Sequence, residues 1–264
     1  MRPTLFATLE FPPHRGGVSH VYASLCHHLP AHQLTVVTPP VPGGAELDRD
    51  LAYHVVRTPL LSAQPWVWPK WWMGLRVLNN LIDRHHIQRL VVGQLLPLGT
   101  VAWLLHRRRG LPYSVFVHGM DLTITRGRRA WLTRAILANA ESIICNSQYT
   151  KGEVLKRGGQ ATTTHVVHPG PHTWSAVQQH SVSSLDQHYH LHGAPVVLCV
   201  GRLVERKGFT TLLSAFAKVR QQLPNARLVI VGGGSFHSSI ELAIRRLGLS
   251  ETVILPGAVD DQQL

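Results

Sequence analysis

The sequence predicts an α/β protein with two Rossmann-like domains and mainly parallel sheets, the second domain being incomplete. Short apolar runs rich in Val, Ile and Leu recur along the chain, and such runs are typical of strands covered on both faces. Segments with apolar residues at helical spacing separate these runs, as in a parallel sheet with crossover helices. With 264 residues the chain could hold one large domain or two small ones, and its 44% hydrophobic composition is enough to build a core.

Residues 1–170 are expected to form the first domain. A helix over 18–29 presents Val18, Val21, Leu25 and Leu29 on one face. Further helices are expected over 75–82 and from 101 onward. The second helix has an apolar part, 101–105, and a basic end, 106–109, which complements the helix dipole, and Gly110 caps it. The expected strands are 4–8, 34–38, 90–93, 114–117, 142–146 and 165–167.

The second domain, residues 195–264, follows a connector over 171–194 that is rich in Gln, Ser and His. Its first strand, 196–200, is wholly apolar and is expected to be buried. Two more strands are expected over 226–231 and 252–255. The residues expected to face the core are Leu212, Phe216 and Val219 in the first helix and Ile240, Ile244 and Leu247 in the second.

The net charge of +12 favours a polyanionic partner, such as an anionic membrane surface, a nucleic acid or a phosphorylated substrate. A nucleic acid is not expected, because the basic residues are dispersed and no RNA- or DNA-binding motif occurs.

Three cysteines without a CxxC pair are typical of reduced thiols in the cytosol. No signal peptide is expected, because the apolar run 4–8 is too short for one, and no run approaches the ~20 apolar residues that span a bilayer. We therefore expect a cytoplasmic protein, soluble or peripheral on the inner face of the cytoplasmic membrane.

A basic loop between the strand 196–200 and the next helix carries Arg202, Arg206 and Lys207. Ligands of open α/β sheets bind at the carboxyl edge of the strands, where this loop is expected. Cations beside a helix amino terminus suit a diphosphate. A solvated basic loop would have the same composition, and spacing alone does not separate the two interpretations.

Two other strand ends carry candidate residues. Gly16 and Gly17 stand where the first strand turns into a helix, so they form either a plain tight turn or a close approach to a ligand. His118 directly follows the expected strand 114–117, and Gly119 and Asp121 come after it. Its imidazole is therefore expected at the edge of the sheet, where a histidine has either a structural or a functional role. Ser147 is suited to cap the helix behind it.

Four tryptophans, Trp66, Trp68, Trp71 and Trp72, fall within seven positions and are interleaved with Pro and Lys70. This composition is typical of a contact with a membrane interface. It also fits the wall of a ligand pocket or a corner of the core. The alternating His188, His190 and His192 lack a Cys or carboxylate cluster beside them, so no metal site is expected.

The segment from Gly201 to Gly208, GRLVERKG, resembles the G-R-L-x-x-x-K-G signature of glycosyltransferase family 4, which comprises retaining enzymes of GT-B architecture. The resemblance implies that Arg202 and Lys207 hold the diphosphate of a nucleotide-sugar donor, with Gly16 and Gly17 near its phosphates. It also implies that His118 reaches the transferred sugar as the catalytic residue. The other residues expected near this cleft are Gly201, Asp121, Ser147, Gly232 and Gly234. The chain departs from the family where His168 and Pro169 precede Gly170.

The implied function is transfer of a hexose to an acceptor hydroxyl of a glycolipid, lipid-linked glycan or cell envelope polysaccharide, with retention and without a metal or other cofactor. The family's E-x₇-E element has no match, since no Glu follows Glu251. The chain is therefore expected to be inactive by itself. The alternative function is a peripheral membrane or ligand-binding module. A nicotinamide-dependent oxidoreductase is excluded because the glycines at 232–234 lack a third spaced Gly.

Overall fold

The computed structural model describes residues 2–14, 16–123, 127–170, 185–191 and 193–259. The chain divides into two compact units, Met1–Pro171 (unit 1) and His172–Leu264 (unit 2). Of the expected connector, 171–184 and His192 lie outside the described residues, and 185–188 are helical. No helix in the described ranges has the length and apolar character needed to cross a membrane.

Unit 1 contains a sheet of seven described strands, all parallel, in the order β3-β2-β1-β4-β5-β6-β7. The order reverses between β1 and β4, which makes this position the topological switch point. The sequence did not predict β3, because its valines stand between the polar residues His54 and Arg57. The strands are β1 (Thr4–Ala7), β2 (Leu34–Thr38), β3 (His54–Arg57), β4 (Arg89–Val92), β5 (Tyr113–Val117), β6 (Ser142–Cys145) and β7 (Thr164–Val166).

Helices cover both faces of this sheet. On one face α3 packs against α4 and α4 against α6, over a core that includes Leu5, Leu90 and Val115. On the other face α1 covers Phe6, Val36 and other aromatic and apolar residues. The helices are α1 (Gly17–His27), α2 (Gly44–Leu47), α3 (Trp72–Arg84), α4 (Leu98–Arg109), α5 (Gly119–Thr123), α6 (Arg128–Asn139) and α7 (Gln148–Lys156).

The core face of α1 differs from the predicted one. Its buried residues are Ser19, Tyr22 and Cys26, whereas the predicted Val18, Val21, Leu25 and Leu29 are only partly buried around them. The centre of the face is thus rotated by about one residue, because the large ring of Tyr22 fills the space above the sheet. A prediction that counts only aliphatic residues misplaces such a face.

Unit 2 contains three described parallel strands in the order β10-β9-β8. Its two described helices longer than one turn pack against each other on one face of this sheet. The elements are β8 (Val196–Val200), α8 (Phe209–Gln222), β9 (Arg227–Val231), α9 (His237–Arg246) and β10 (Val253–Gly257).

The predictions for unit 2 are wrong in three respects, whereas the expected burial of Phe216, Ile240 and Ile244 is confirmed. The strand β8 is not buried: Val196, Val197, Leu198 and Val200 are 39–59% exposed, because β8 lies at the sheet edge and the helices cover one face. Cys199 is accordingly half-buried, whereas Cys26 and Cys145 are buried. The buried face of α8 is formed by Phe209, Leu213 and Phe216, with Val219 exposed and Leu212 at its side. In the second helix region Leu249 is buried instead of Leu247.

Candidate functional site

The topological switch point of unit 1 is closely hydrogen-bonded. Gly93, directly after β4, donates its N–H to the carbonyl of Ala7 at 2.9 Å. The side chain of Gln94 joins the loops after β4 and β1: its Oε1 accepts from the N–H of Leu9 at 3.1 Å, and its Nε2 donates to Oγ1 of Thr8 at 3.2 Å. Ligands of open α/β sheets bind beside this reversal of strand order.

His118 follows β5 directly, and Tyr22 of α1 holds its imidazole ring. The Tyr22 hydroxyl is buried and donates to the carbonyl of Gly93, and its oxygen lies 2.7 Å from Nε2 of His118. Because a carbonyl oxygen only accepts, the single phenol proton is directed at Gly93. Nε2 of His118 therefore donates to the Tyr22 oxygen, and Nδ1 is the acceptor atom of the neutral ring.

Asp121 closes the turn that presents His118. Its Oδ2 accepts from the backbone N–H of His118 at 3.0 Å, and its own N–H donates to the carbonyl of His118 at 2.9 Å. Burial lowers the pKa of His118, while the negative charges of Asp121 and Glu10 act against this shift. Burial raises the pKa of Asp121, against the hydrogen bond from the His118 N–H. His118 is therefore neutral near neutral pH.

Gly16 and Gly17 begin α1, and the structure gives no steric reason for glycine at either position. Gly16 has an extended backbone with φ 172°, and a Cβ at either position would have no protein neighbour closer than 3.9 Å. The loop before them is anchored by Arg57. Its guanidinium pairs with Asp48 through Nε at 2.7 Å and Nη2 at 2.8 Å, and Nη2 also donates to the carbonyl of Pro12 at 2.6 Å.

The basic loop of unit 2 follows β8 and leads into α8. Arg202 and Lys207 are both exposed, and Lys207 ends a 3₁₀ turn over Glu205–Lys207. Gly208 adopts a left-handed conformation with φ 73° and is the N-cap of α8. The two cations and the first backbone N–H groups of α8 therefore lie in one short segment at the carboxyl edge of the sheet.

Gly232 and Gly234, after β9, let a second loop run against the first. A Cβ at Gly232 would lie 1.9 Å from the carbonyl oxygen of Gly201, and a Cβ at Gly234 2.3 Å from that of Leu203. The N–H of Leu203 donates to the carbonyl of Gly233 at 2.9 Å. These contacts require glycine at 232 and 234 and fix the backbone from which Arg202 projects.

Ser147 caps α7 as predicted. Its Oγ accepts from the N–H of Thr150 at 3.1 Å. It also lies 3.0 Å from Oγ1 of Thr150, which donates to Oδ1 of Asn146 at 2.8 Å. This cap accounts for Ser147 without a ligand.

Each unit thus brings one group of predicted residues together. In unit 1, His118 and Asp121 share a turn, and Tyr22 links it to α1, whose first turn contains Gly17. In unit 2, Gly201, Arg202, Lys207, Gly232 and Gly234 share two adjoining loops. One groove in unit 1 and one in unit 2 lie near the amino ends of the strands instead, and neither contains a predicted site residue.

The residues that sequence reasoning missed are Tyr22, Gly93 and Arg57. Tyr22 stands with Ser19 and Cys26 at a spacing of i, i+3 and i+7, a second possible face of α1. Gly93 cannot carry a side chain, because its Cβ would lie 2.8 Å from the ring of Tyr22 and 2.7 Å from Oγ1 of Thr8. Among the described residues, no group of three or more His, Cys, Asp or Glu is arranged to hold a metal ion.

Two family profiles match the chain. The profile described as Glycosyltransferase Family 4 matches residues 15–173, and the one described as Glycosyl transferases group 1 matches residues 184–264. Among solved structures, HepE of Anabaena in complex with UDP superimposes with a TM-score of 0.78 at 19% identity, over 100% of this chain and 71% of that one. This likeness supports the GT-B fold expected from the sequence.

Several curated relatives match nearly the whole chain. The GDP-mannose-dependent α-(1-6)-phosphatidylinositol monomannoside mannosyltransferase of Mycolicibacterium smegmatis is 29% identical over 269 residues, which are 98% of this chain and 68% of that protein. The GDP-mannose-dependent monoacylated α-(1-6)-phosphatidylinositol monomannoside mannosyltransferase of Corynebacterium glutamicum is 25% identical over 272 residues, 100% of this chain and 69% of that protein. From the matching profiles, which together span most of its length, the chain belongs to glycosyltransferase family 4.

Proposed function

We propose that this chain serves the transfer of a hexose from a nucleoside-diphosphate sugar to a hydroxyl of a glycan or lipid-linked acceptor, with retention at the anomeric carbon, and that its own part is to hold the donor's diphosphate and the transferred sugar. The observation that carries the proposal is the loop from Gly201 to Gly208. Two exposed cations there adjoin the amino terminus of the 14-residue helix α8. In the transfer, the bond from the anomeric carbon to the acceptor oxygen forms and the bond to the diphosphate breaks, while the proton of the acceptor hydroxyl passes to the departing diphosphate oxygen.

The departing diphosphate gains negative charge in this step, and stabilising that charge lowers the barrier. Arg202 and Lys207 would bind the phosphate oxygens, and the dipole of α8 would add to their effect. Fixed cations of this kind supply the electrostatic stabilisation for which other transferases use a metal ion. The proposed reaction therefore needs no metal ion or other cofactor.

In unit 1, His118 would bind the transferred sugar. The hydrogen bond to Tyr22 leaves Nδ1 as the acceptor of the neutral ring, which suits a sugar hydroxyl as donor. Tyr22 and Asp121 would act as positioning residues, through the ring and the backbone of His118 respectively. Gly16 and Gly17 would donate backbone N–H groups to the donor, and the open space beside both residues supports this role.

The named relatives suggest which substrates to test first. Both mannosyltransferases are described as GDP-mannose-dependent and as acting on a phosphatidylinositol monomannoside. We therefore propose GDP-mannose as the first donor and a glycolipid with a free sugar hydroxyl as the first acceptor. A role in building the cell envelope from the cytoplasmic side would follow from these substrates.

The experiment is calorimetric titration of the 264-residue chain with GDP and with UDP, for the wild type and single variants. Lys207→Ala and Arg202→Ala should each weaken nucleotide binding about tenfold or more, since each removes a charge-assisted hydrogen bond to a phosphate. Arg206→Ala is the matched control, because it removes an exposed cation from the same turn. Equal losses in all three variants would contradict the proposal, as would full affinity in Lys207→Ala and Arg202→Ala.

A further inference from the structure

The loop before α3, residues 62–70, holds two tryptophans in the solvent. The N–H of Ser62 donates to the carbonyl of Lys70 at 2.9 Å, which closes the loop at its base. Trp66 and Trp68 lie within the closed segment and are 77% and 84% exposed. The interpretation of the whole cluster as a corner of the core is therefore wrong, although Trp71 packs against the core at the base.

This exposure occurs on a loop that is firmly anchored. Leu60, just before the loop, is fully buried in the core of unit 1. Gly74, in the first turn of α3, approaches the backbone of Leu60 so closely that a Cβ on Gly74 would lie 2.7 Å from the carbonyl oxygen of Leu60. Both ends of the loop are thus held by the core, and its two indole rings are presented outward on a fixed support.

The tryptophans lie at the same edge of the sheet as His118. The helix α3 ends at Arg84, five residues before β4 begins at Arg89, so its carboxyl end lies at the amino edge of the sheet. Its amino end, and the loop 62–70 before it, therefore lie at the opposite, carboxyl edge. The helix α6 is arranged in the same way between β5 and β6, and Trp131 in its first turn is 65% exposed. Because α4 packs against both α3 and α6, these aromatic side chains belong to one side of unit 1.

Basic residues surround these indoles. Lys70 and Arg76 are exposed, and the guanidinium of Arg76 lies 5.5 Å from the ring centroid of Trp72. Arg129 and Arg134 are exposed on α6. The sequence contains no Asp or Glu over 51–82 or over 122–140. Exposed indoles with cations and no acidic residue are the composition that binds the interface of a negatively charged bilayer.

We propose that the loop 62–70, together with the amino-terminal turns of α3 and α6, docks unit 1 on an anionic lipid bilayer. The apolar faces of Trp66 and Trp68 would enter the headgroup region, while Lys70, Arg76 and Arg129 would face the lipid phosphates. His118 at the same edge would then lie on the side of unit 1 that faces the membrane. The docking goes beyond the proposed transfer reaction and is tested without donor or acceptor.

The test is sedimentation of the full chain with vesicles of phosphatidylcholine alone and of equal parts phosphatidylcholine and phosphatidylglycerol. We expect binding to the anionic vesicles that weakens as salt is added. Trp66→Ser/Trp68→Ser should lower the partition coefficient about tenfold or more. The variant should fold normally, because both side chains are exposed. Quenching of indole fluorescence by lipids brominated near the headgroup should accompany binding of the wild type.

A matched control removes exposed apolar side chains from unit 2 with Leu223→Ser/Leu242→Ser, which should bind vesicles like the wild type. Lys70→Gln should weaken binding more than Lys218→Gln, which removes an exposed charge from α8. The proposal is overturned if the wild type does not sediment with anionic vesicles, or if the tryptophan variant sediments as well as the wild type. Nucleotide binding by unit 2 would be unaffected by that result, so this failure is separate from failure of the proposed function.

Discussion

At the scale of single residues, the central arrangement is the hydrogen-bonded chain from Gly93 through Tyr22 to His118. A buried hydroxyl with two partners is costly to lose, because each partner then stays desolvated without a hydrogen bond. The phenol proton also determines which nitrogen of His118 carries a hydrogen. Tyr22 therefore has a structural effect and a separate effect on the histidine, and the two are measured independently.

We expect Tyr22→Phe to lower the free energy of unfolding by about 1–3 kcal/mol and to release the tautomer of His118. Nitrogen chemical shifts of the imidazole should change from the Nε2–H form to a mixture of the two tautomers. Tyr113→Phe is the control, since the Tyr113 hydroxyl is also buried and donates to a carbonyl, that of Ile136, without contacting His118. If Tyr113→Phe changes the His118 spectrum equally, the positioning role of Tyr22 is wrong.

The lowered pKa of His118 predicts a pH dependence of stability. The unfolded chain, in which histidine has its ordinary pKa of about 6.5, binds the proton first as the pH falls. The contribution of His118 to stability is therefore present above that value and is lost as the pH falls toward the lowered pKa. The raised pKa of Asp121 has the opposite effect on stability at lower pH, because the folded chain there takes up the proton before the unfolded chain does. Chemical unfolding should show a smaller loss between about pH 7.5 and 5.5 in His118→Gln than in the wild type.

The control for the unfolding measurements is His32→Gln, because this variant removes an exposed histidine from the surface of unit 1. We expect it to keep the wild-type dependence on pH. A His118→Gln variant that loses as much stability as the wild type over this interval would show that the burial of His118 has no thermodynamic consequence.

At the scale of elements, the loop that leads to Gly16 depends on one nearly buried ion pair. Arg57 at the end of β3 and Asp48 are 9% and 16% exposed, and a Cβ on Gly44 would lie 2.5 Å from the guanidinium carbon. Arg57 also binds the carbonyl of Pro12. The pair therefore connects β3 to the loop after β1, which is where the proposed donor contacts of Gly16 and Gly17 begin.

Asp48→Ala should lower the free energy of unfolding by about 3 kcal/mol, because it leaves the nearly buried guanidinium of Arg57 without its carboxylate. Urea denaturation measures this loss. Asp83→Ala removes the partner of Arg109 in a pair that is 34% and 58% exposed, so solvent screening should limit its effect to less than about 1 kcal/mol. Similar losses in the two variants would mean that burial does not distinguish the two ion pairs.

At the scale of the whole molecule, the charge is distributed in a way that its total does not reveal. The net charge of +12 fits several polyanions equally well. The structure separates two basic regions: the exposed loop of unit 2 beside α8, and the surface of unit 1 around the exposed indoles. We assign the first to a diphosphate, since it combines cations with a helix terminus. We assign the second to lipid, since it combines cations with exposed tryptophan.

Much of the fold could be predicted from the sequence, because parallel strands and their crossover helices have strong local patterns. The run 34–38 has the same limits in the structure, and the run 4–8 is one residue longer than β1. Ser147 and Gly110 have the capping conformations that their residue types suggest. The strand β3 was missed because its two valines are flanked by polar residues. The predicted burial of β8 was wrong because apolar composition does not reveal which strand forms an edge of the sheet.

The sequence by itself determined the α/β class and the loop from Gly201 to Gly208, because strand periodicity and glycine placement act over a few neighbouring residues. Only the tertiary structure decided that Tyr22 contacts His118, since the two are 96 residues apart. It also decided that Trp66 and Trp68 face the solvent. Burial and hydrogen bonding between distant residues depend on strand order and helix rotation, which arise from packing the whole unit and leave no local signal in the chain.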